Sequence, residues 1–435
     1  MTYTDETITS VYVAMTDLAG QLIGKRCSRT YFDRFKETGF GLCDLMLGQD
    51  ITMQEVAGST LSGNATGYRD MTLRPDLTTG VPLPWRPGDA LVLADCCDPA
   101  SGSPLNIAPR SILREQLRRL AKLGLGMRAA SEIEFYIFDR QIESTSKTGL
   151  APSTPLTQYD SDGHISQLSR YGEVWRDIET HFRAIGLEID YIKFEGGRGQ
   201  AEIVLTHDLA HVMADRHALY KFALRDIAAL HGKSVSFMAK PFADEAGSSG
   251  HIHYSLYALD TGDSVMQGGN EGGLSDTAEA FLAGQLMLTR QISAFLAPTI
   301  NSYKRFTRSF LSPDQVSWGV DDRDAAYRVV GNQSSKRVEC RIPGADINPY
   351  LAYAALIAAG LEGVSEGARL KDVPRSAPLP RSLSDAIKGL RDAAPLKEAF
   401  GADVLDHYIR YVSFEVAAYE QAVTDWERRR YFDRI

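Results

Sequence analysis

The stretch SEIEFYIFD, residues 131–139, decides the fold. Side chains alternate across an extended strand, so Ile133 and Phe135 face one way while Glu132 and Glu134 face the other. The apolar pair asks for burial, and the acidic pair aims two carboxylates at one spot. The same period of two recurs in HIHYS (251–255), which aligns His251, His253 and Ser255. It recurs again in RVECR (337–341), which aligns Arg337, Glu339 and Arg341. One such row is an ordinary solvated strand face. Three rows, one of them behind the small-residue loop GSSG (247–250), point to a sheet that presents chemistry.

Strands and helices alternate around these rows. SVSFMAKPF (234–242) and KRVECRIP (336–343) read as strands, whereas 207–232, 277–296 and 348–364 read as helices, the last with Asn348 as its cap and Pro349 in its first turn. Upstream, residues 8–26 read as two strands joined by a turn at 17–20, and 83–98 as a strand pair around Pro87-Gly88. The texture changes after Pro109, where Leu113, Leu117 and Leu120 line one helical face that stops at Gly124. The expected organisation is therefore α+β, with a small β-rich domain over 1–105 and a larger domain over 106–435. Residues 368–382 read as the one linker-like segment.

Composition narrows the function classes. A formal charge of −9, without basic stripes, argues against nucleic-acid and anionic-membrane surfaces and favours small molecules or further copies of the chain. Five cysteines without a CxxC pair indicate buried thiols rather than a disulfide framework or a zinc ribbon. The start MTYTDETITS has no signal-peptide pattern and no stretch is long and apolar enough to span a bilayer, so a cytoplasmic protein is expected.

The chemistry-bearing residues suit hard cations. Glu132, Glu134 and Glu339 with His251 are joined by Glu195 and Glu202, which flank the glycine-rich FEGGRGQ stretch. Five carboxylates and one imidazole fit Mg²⁺ or Mn²⁺, enough for two ions. Arg305, Arg323, Arg328, Arg337 and Arg341 supply bidentate grips for phosphate and carboxylate. This is equipment for phosphoryl transfer, yet neither a GxxxxGK[ST] loop nor a kinase signature is present.

Taken in order, E-x-E, E-x(6)-E around a Gly-Gln pair, Lys-Pro before H-x-H-x-S-L, NSYKR, R-x(4)-R, R-x-E-x-R-x-P, N-P-Y-L-A and the closing WERRRYFDRI resemble the glutamine synthetase family from about residue 10 onward. The resemblance implies an N-terminal β-grasp domain and a catalytic domain with a curved antiparallel sheet and surrounding helices. It implies ATP as phosphoryl donor, glutamate as acceptor, and attack by ammonia or an amine on γ-glutamyl phosphate. It implies two or more Mg²⁺ or Mn²⁺ per site and a homododecamer of two stacked hexameric rings with sites shared between subunits. Carried over by position, Glu134, Glu195 and Glu202 match the ligands of one metal, and Glu132, His251 and Glu339 those of the other. His253 and Ser255 match nucleotide contacts, and Arg328 and Arg337 phosphate contacts. Arg305 and Arg341 match the glutamate carboxylate clamps, and Gly247 the loop glycine at its amino group. Arg323 matches the arginine near the transferred phosphoryl group.

The departures cluster at the amine end. Ammonia-using members carry a flap glutamate six residues after the NSYKR arginine; here that position is Leu311. Leucine neither attracts a cation nor accepts a proton, which favours an amine with a hydrocarbon group. The family's D-G-S-S is replaced by CDLMLGQDITM, in which Asp50 either receives the amine or caps a turn. Ala246 stands where the family usually has asparagine, Gly250 precedes His251, and the tyrosine stretch used for adenylylation is missing. These features resemble the branch that makes γ-glutamylamides. The alternatives are an ammonia-using glutamine synthetase and a non-catalytic ring protein.

Overall fold

Residues 3–140, 154–306 and 311–435 are described by the computed structural model. The N-terminal hairpin forms as its turn chemistry requires: β1 (Ser10–Thr16) and β2 (Leu22–Ser28) run antiparallel, and Gly20 in the turn between them takes a φ of +80°. After α1 (Arg29–Phe35) come β3 (Phe40–Cys43), β4 (Asp70–Pro75), β5 (Val81–Pro82) and β6 (Asp89–Cys97). Among the described residues these strands make one sheet in the order β2-β1-β6-β4-β3, with β5 on β6. β1 and β6 are parallel, as the β-grasp expectation requires.

The second sheet is organised by β7 (Leu125–Phe138), which follows α2 (Pro109–Ala121). Then come α3 (Ile165–Arg170), α4 (Gly172–Ala184), β8 (Ile189–Phe194), β9 (Gln200–Leu205), β10 (Asp208–Leu209), α5 (Ala210–Leu230), β11 (Ser234–Ser236) and β12 (Gly250–Ala258). α6 (Asp276–Leu296) precedes β13 (Gln315–Val316), β14 (Trp318–Val320), β15 (Tyr327–Val330) and β16 (Arg337–Cys340). The strand order is β14-β15-β16-β12-β7-β9-β8, with β10 and β11 also on β7. The sheet is antiparallel as expected, save for the edge pair β14–β15, which is parallel.

One face of β7 is covered by helices. Ile133, Phe135 and Ile137 are fully buried, and the Ser131 hydroxyl shares hydrogen bonds with Tyr353 Oη (2.6 Å) and His217 Nδ1 (3.0 Å). Those partners belong to α7 (Pro349–Ser365) and α5. α6 and α7 meet at glycines, because a Cβ at Gly284 would lie 2.6 Å from Gly363 Cα. β17 (Ala377–Pro378), α8 (Leu383–Arg391), α9 (Ala394–Phe400), α10 (Ala402–Gln421) and α11 (Asp425–Tyr431) complete the chain. No described helix is long and apolar enough to cross a membrane.

Two expectations need correction. Only 234–236 of the 234–242 stretch is strand. Pro241 has no N–H for a ladder, and the Lys240 amide donates to Asn301 Oδ1 at 2.8 Å, so the chain leaves the sheet to form the loop bearing Gly247. The linker-like 368–382 segment is tied down as well, since β17 pairs with β13 and Arg290 donates to the Pro378 carbonyl.

Asn348 joins the two sheets' surroundings. Its Oδ1 accepts from the amides of Tyr350 (3.0 Å) and Leu351 (3.4 Å), capping α7, while its Nδ2 donates to the carbonyls of Asp17 (2.9 Å) and Leu18 (3.3 Å) in the β1–β2 turn. Lys221 Nζ donates to the Ala345 carbonyl at 2.7 Å and steadies the same 341–348 connection. Asn348→Ala is expected to lose about 1–2 kcal/mol, the worth of a cap plus a buried hydrogen bond. Asn348→Asp keeps the cap but turns a buried carboxylate oxygen toward the Asp17 and Leu18 carbonyls, so it should lose at least as much as Asn348→Ala in chemical denaturation.

Candidate active site

The site follows from strand register. β7 sets Glu132 opposite His251 of β12 and Glu134 opposite Glu202 of β9. β16 sets Glu339 opposite His253 on one side and opposite Arg328 of β15 on the other. With the period of two, all these side chains emerge on the sheet face away from α5 and α7.

Two groups of three potential ligands result: Glu132, His251 and Glu339 in one, and Glu134, Glu195 and Glu202 in the other. Within each group the ligand atoms lie within 4.8 Å of one another. In the first, His251 Nδ1 is 3.1 Å from Glu132 Oε1 and 3.4 Å from Glu339 Oε1. His253 Nε2 lies 3.0 Å from Glu132 Oε2, and its Nδ1 accepts from Arg337 Nε at 3.2 Å. Glu339, only 1% exposed, accepts from Arg328 at 3.0 Å and from Arg341.

In the second group, Glu134 Oε2 accepts from the Ser249 amide (2.8 Å) and from Gln200 Nε2 (3.0 Å). Gln200 also donates to the Gly247 carbonyl at 3.0 Å, so one side chain holds a carboxylate and the glycine loop together. Glu202 Oε1 is buried without a hydrogen-bond partner. An orphaned carboxylate oxygen in a ring of carboxylates is what a divalent cation would satisfy, and oxygen-rich donor sets suit Mg²⁺ or Mn²⁺.

The electrostatics of the two groups differ. Burial pushes Glu132 upward, but hydrogen bonds from His251 and His253 outweigh it and hold the carboxyl far below its ordinary range. Glu339 is likewise lowered, the charges of His251, His253 and Arg341 overcoming burial. In the second group burial and neighbouring carboxylates act in the same direction. Glu195 is pushed up to about 7 by burial and then Glu134, against the opposing pull of Lys193. Glu202 is pushed up to about 10 by burial and then Glu132, Glu195 and Glu134.

Around these groups the arginines take distinct places. Arg305, 3% exposed, donates to the carbonyls of Ile342 (2.8 Å) and Arg341 (3.0 Å), and burial draws its guanidinium down to about 10. A Cβ at Gly247 would sit 2.8 Å from Arg305 Cγ, so glycine is needed for this approach. Arg341 donates a second hydrogen bond, 3.2 Å, to the Leu311 carbonyl. Leu311 is 52% exposed with a φ of +59°, and residues 307–310 of the expected flap lie outside the described residues. Beside Glu132, a cavity of about 360 Å³ is lined by His253, Ser255, Ser335, Lys336, Arg337 and Tyr191.

Asp50 and Arg323 stand outside both ligand groups. Asp50 accepts from the amides of Thr52 (2.9 Å) and Gln54 (2.8 Å), the turn-capping geometry, in a loop near Glu415 of α10. Arg323 is exposed in the turn between β14 and β15. In the sequence Gln200 stands only as part of a motif, with no role of its own. Lys193, whose Nζ lies 2.7 Å from Glu195 Oε1, is signalled there only by its position two residues from Glu195.

Comparison with known proteins is consistent across the chain. The catalytic-domain model of glutamine synthetase matches residues 106–431. The chain is 39% identical, over 98% of its length, to the γ-glutamylethanolamide synthetase GlnA4 of Streptomyces coelicolor, 93% of which is covered. It is 33% identical over 98% of its length to the glutamate–isopropylamine ligase of a Pseudomonas species, 96% of which is covered. It is 33% identical over 86% of its length to a glutamine synthetase of Mycolicibacterium smegmatis, 88% of which is covered. A solved structure of a GmaS–ADP complex superimposes with a TM-score of 0.86 at 28% identity, covering 99% of this chain and 98% of that one.

The raised carboxyls give a pH prediction. A glutamate held near 7 in the folded chain, against an ordinary value of 4.5, contributes stability that is present below about pH 4.5 and lost as pH rises through 7. A divalent cation neutralises the charge that the rising pH forces on the cluster. The increase in Tm produced by Mn²⁺ over chelator is therefore expected to grow between about pH 5.5 and 8. Glu202→Gln should stabilise the metal-free protein at about pH 8, by on the order of 1 kcal/mol, and flatten that increase. Calorimetry with and without Mn²⁺ measures both.

Proposed function

This chain belongs to the glutamine synthetase family, and from that membership we propose that it uses ATP to join the γ-carboxylate of glutamate to an organic amine. The observation that carries the reading is the combination of two complete ligand groups with Leu311, an apolar side chain where ammonia-using members have a flap glutamate. The likeness to a γ-glutamylethanolamide synthetase and to a glutamate–isopropylamine ligase supports it.

Glu132, His251 and Glu339 would hold one divalent cation, Mg²⁺ or Mn²⁺, and Glu134, Glu195 and Glu202 another; bound there, the ions neutralise polyphosphate and carboxylate charge. His253 and Ser255 line the cavity for the nucleotide, with Arg328 and Arg337 at its phosphates. Arg305, Arg341 and the Gly247 loop orient glutamate so that a γ-carboxylate oxygen faces the terminal phosphorus. That oxygen displaces ADP, with Arg323 countering the charge of the transferred group. The amine nitrogen then attacks the γ-carbonyl carbon, phosphate leaves, and the nitrogen loses its proton to form the amide. Asp50, from a neighbouring copy, receives the amine, and Leu311 shapes its apolar side. In this reading 1–105 form a β-grasp domain and 106–435 the catalytic domain, in a cytoplasmic dodecamer of two stacked six-membered rings with shared sites, as the family membership suggests.

With ATP, Mg²⁺ and glutamate, the purified protein is offered ammonium, ethylamine, isopropylamine, ethanolamine, aniline and putrescine in separate reactions. Mass spectrometry is expected to find a γ-glutamylamide formed with a kcat/KM at least about tenfold above that for glutamine. Glutamine as the dominant product would make the chain an ammonia-assimilating enzyme instead. Leu311→Glu should move the ratio toward ammonia by about tenfold, the size of one charged contact. Glu339→Ala should cut turnover by more than about a hundredfold, since even the outer partners of metal ligands are worth 10–100-fold.

A further inference from the structure

Lys193 sits inside the machinery without a part in the reaction described above. It lies on β8 opposite Glu202 in register, and its Nζ is 2.7 Å from Glu195 Oε1 and 3.6 Å from Asp162 Oδ1. Glu195 is one of the three carboxylates whose oxygens converge within 4.8 Å, so the ammonium occupies a ligand that a metal would need. The other group differs in kind. Glu339 there is held by Arg328 and Arg341, whose guanidiniums are also engaged elsewhere, on Asp321 and the Leu311 carbonyl. Lys193 is instead a point charge on a flexible four-carbon stem, 38% exposed at its side chain. Asp162, 59% exposed, waits on its outer side as a second acceptor.

We propose that Lys193 is a positioning residue that serves as a displaceable counter-ion, competing with the divalent cation for Glu195 and shifting onto Asp162 when the cation enters. Before a cation enters, the Lys193 ammonium is, among the described residues, the one basic group on Glu195 in the second ligand group; once it shifts to Asp162, the cation takes over that compensation. The arm therefore keeps the buried carboxylates tolerable before metal arrives and makes this group the weaker of the two cation sites. The inference rests on the metal assignment made under Proposed function.

Mn²⁺ binding to the full-length protein, without substrates, is followed by the electron paramagnetic resonance of free Mn²⁺. Lys193→Met is expected to tighten one class of Mn²⁺ site by about tenfold, the removal of a like charge at close range, and to leave the other class unchanged. Lys193→Arg keeps the charge and should bind as the parent does. Asp162→Asn, a change at an exposed position, should weaken the same class by removing the arm's alternative partner. Unchanged or weaker binding in Lys193→Met overturns the proposal, because damage to the scaffold does not raise affinity. If the unaltered protein binds no Mn²⁺, the metal assignment itself falls and this proposal with it, an outcome distinct from the first.

Discussion

The register of β7 against its two neighbours is the constraint on which the site depends. Antiparallel pairing sets Glu132 against His251 and Glu134 against Glu202, and the pleat sends all four to the same side. A slip of one residue would bury those carboxylates among α5 and α7 and expose Ile133 and Phe135. The apolar face thus enforces the chemistry of the polar one. Ser131 bonding to Tyr353 and His217 pins the same register from the helix side.

Charge is the second constraint, and the two ligand groups meet it differently. Glu132 and Glu339 are compensated within the fold by imidazoles and guanidiniums, so their ionised forms persist without help. Glu195 and Glu202 have one lysine between them, and burial leaves them straining toward protonation. The sheet therefore carries one ligand group whose carboxylates are already compensated by neighbouring basic side chains and another whose carboxylates depend more on an added cation. Phosphate chemistry needs both next to each other.

Much of this was legible in the sequence, for reasons that can be named. Period-two rows at 132–134, 251–255 and 337–341 declare both the strand and the face, and Asn348-Pro349 declares the start of α7. Glu195 and Glu202 were found because glycines between them signal a tight path. What stayed hidden depends on contacts across the chain. Gln200 acquires its part only when Glu134 and Gly247 are brought to it from other segments, whereas Lys193, two residues before Glu195, is a local pair whose meaning depends on the carboxylates gathered around it. The departure at Pro241 is not legible because local pattern does not reveal where a strand's hydrogen bonds end. The carboxylate of Asp50 is engaged by its own loop, which is the turn-capping role its sequence setting also allows.

Arg341 grips residue 311 by its backbone carbonyl, leaving the leucine side chain exposed. Such an attachment is blind to side-chain identity. A lineage can replace what stands at this position by single mutational steps, sampling new chemistry at the mouth of the site while inheriting the tether unchanged. The left-handed backbone there sets the terms of that drift: asparagine, aspartate and glycine enter with least strain, and valine, isoleucine and threonine with most. A change of side chain at residue 311 can thus alter the mouth of the site without renegotiating the fold beneath it.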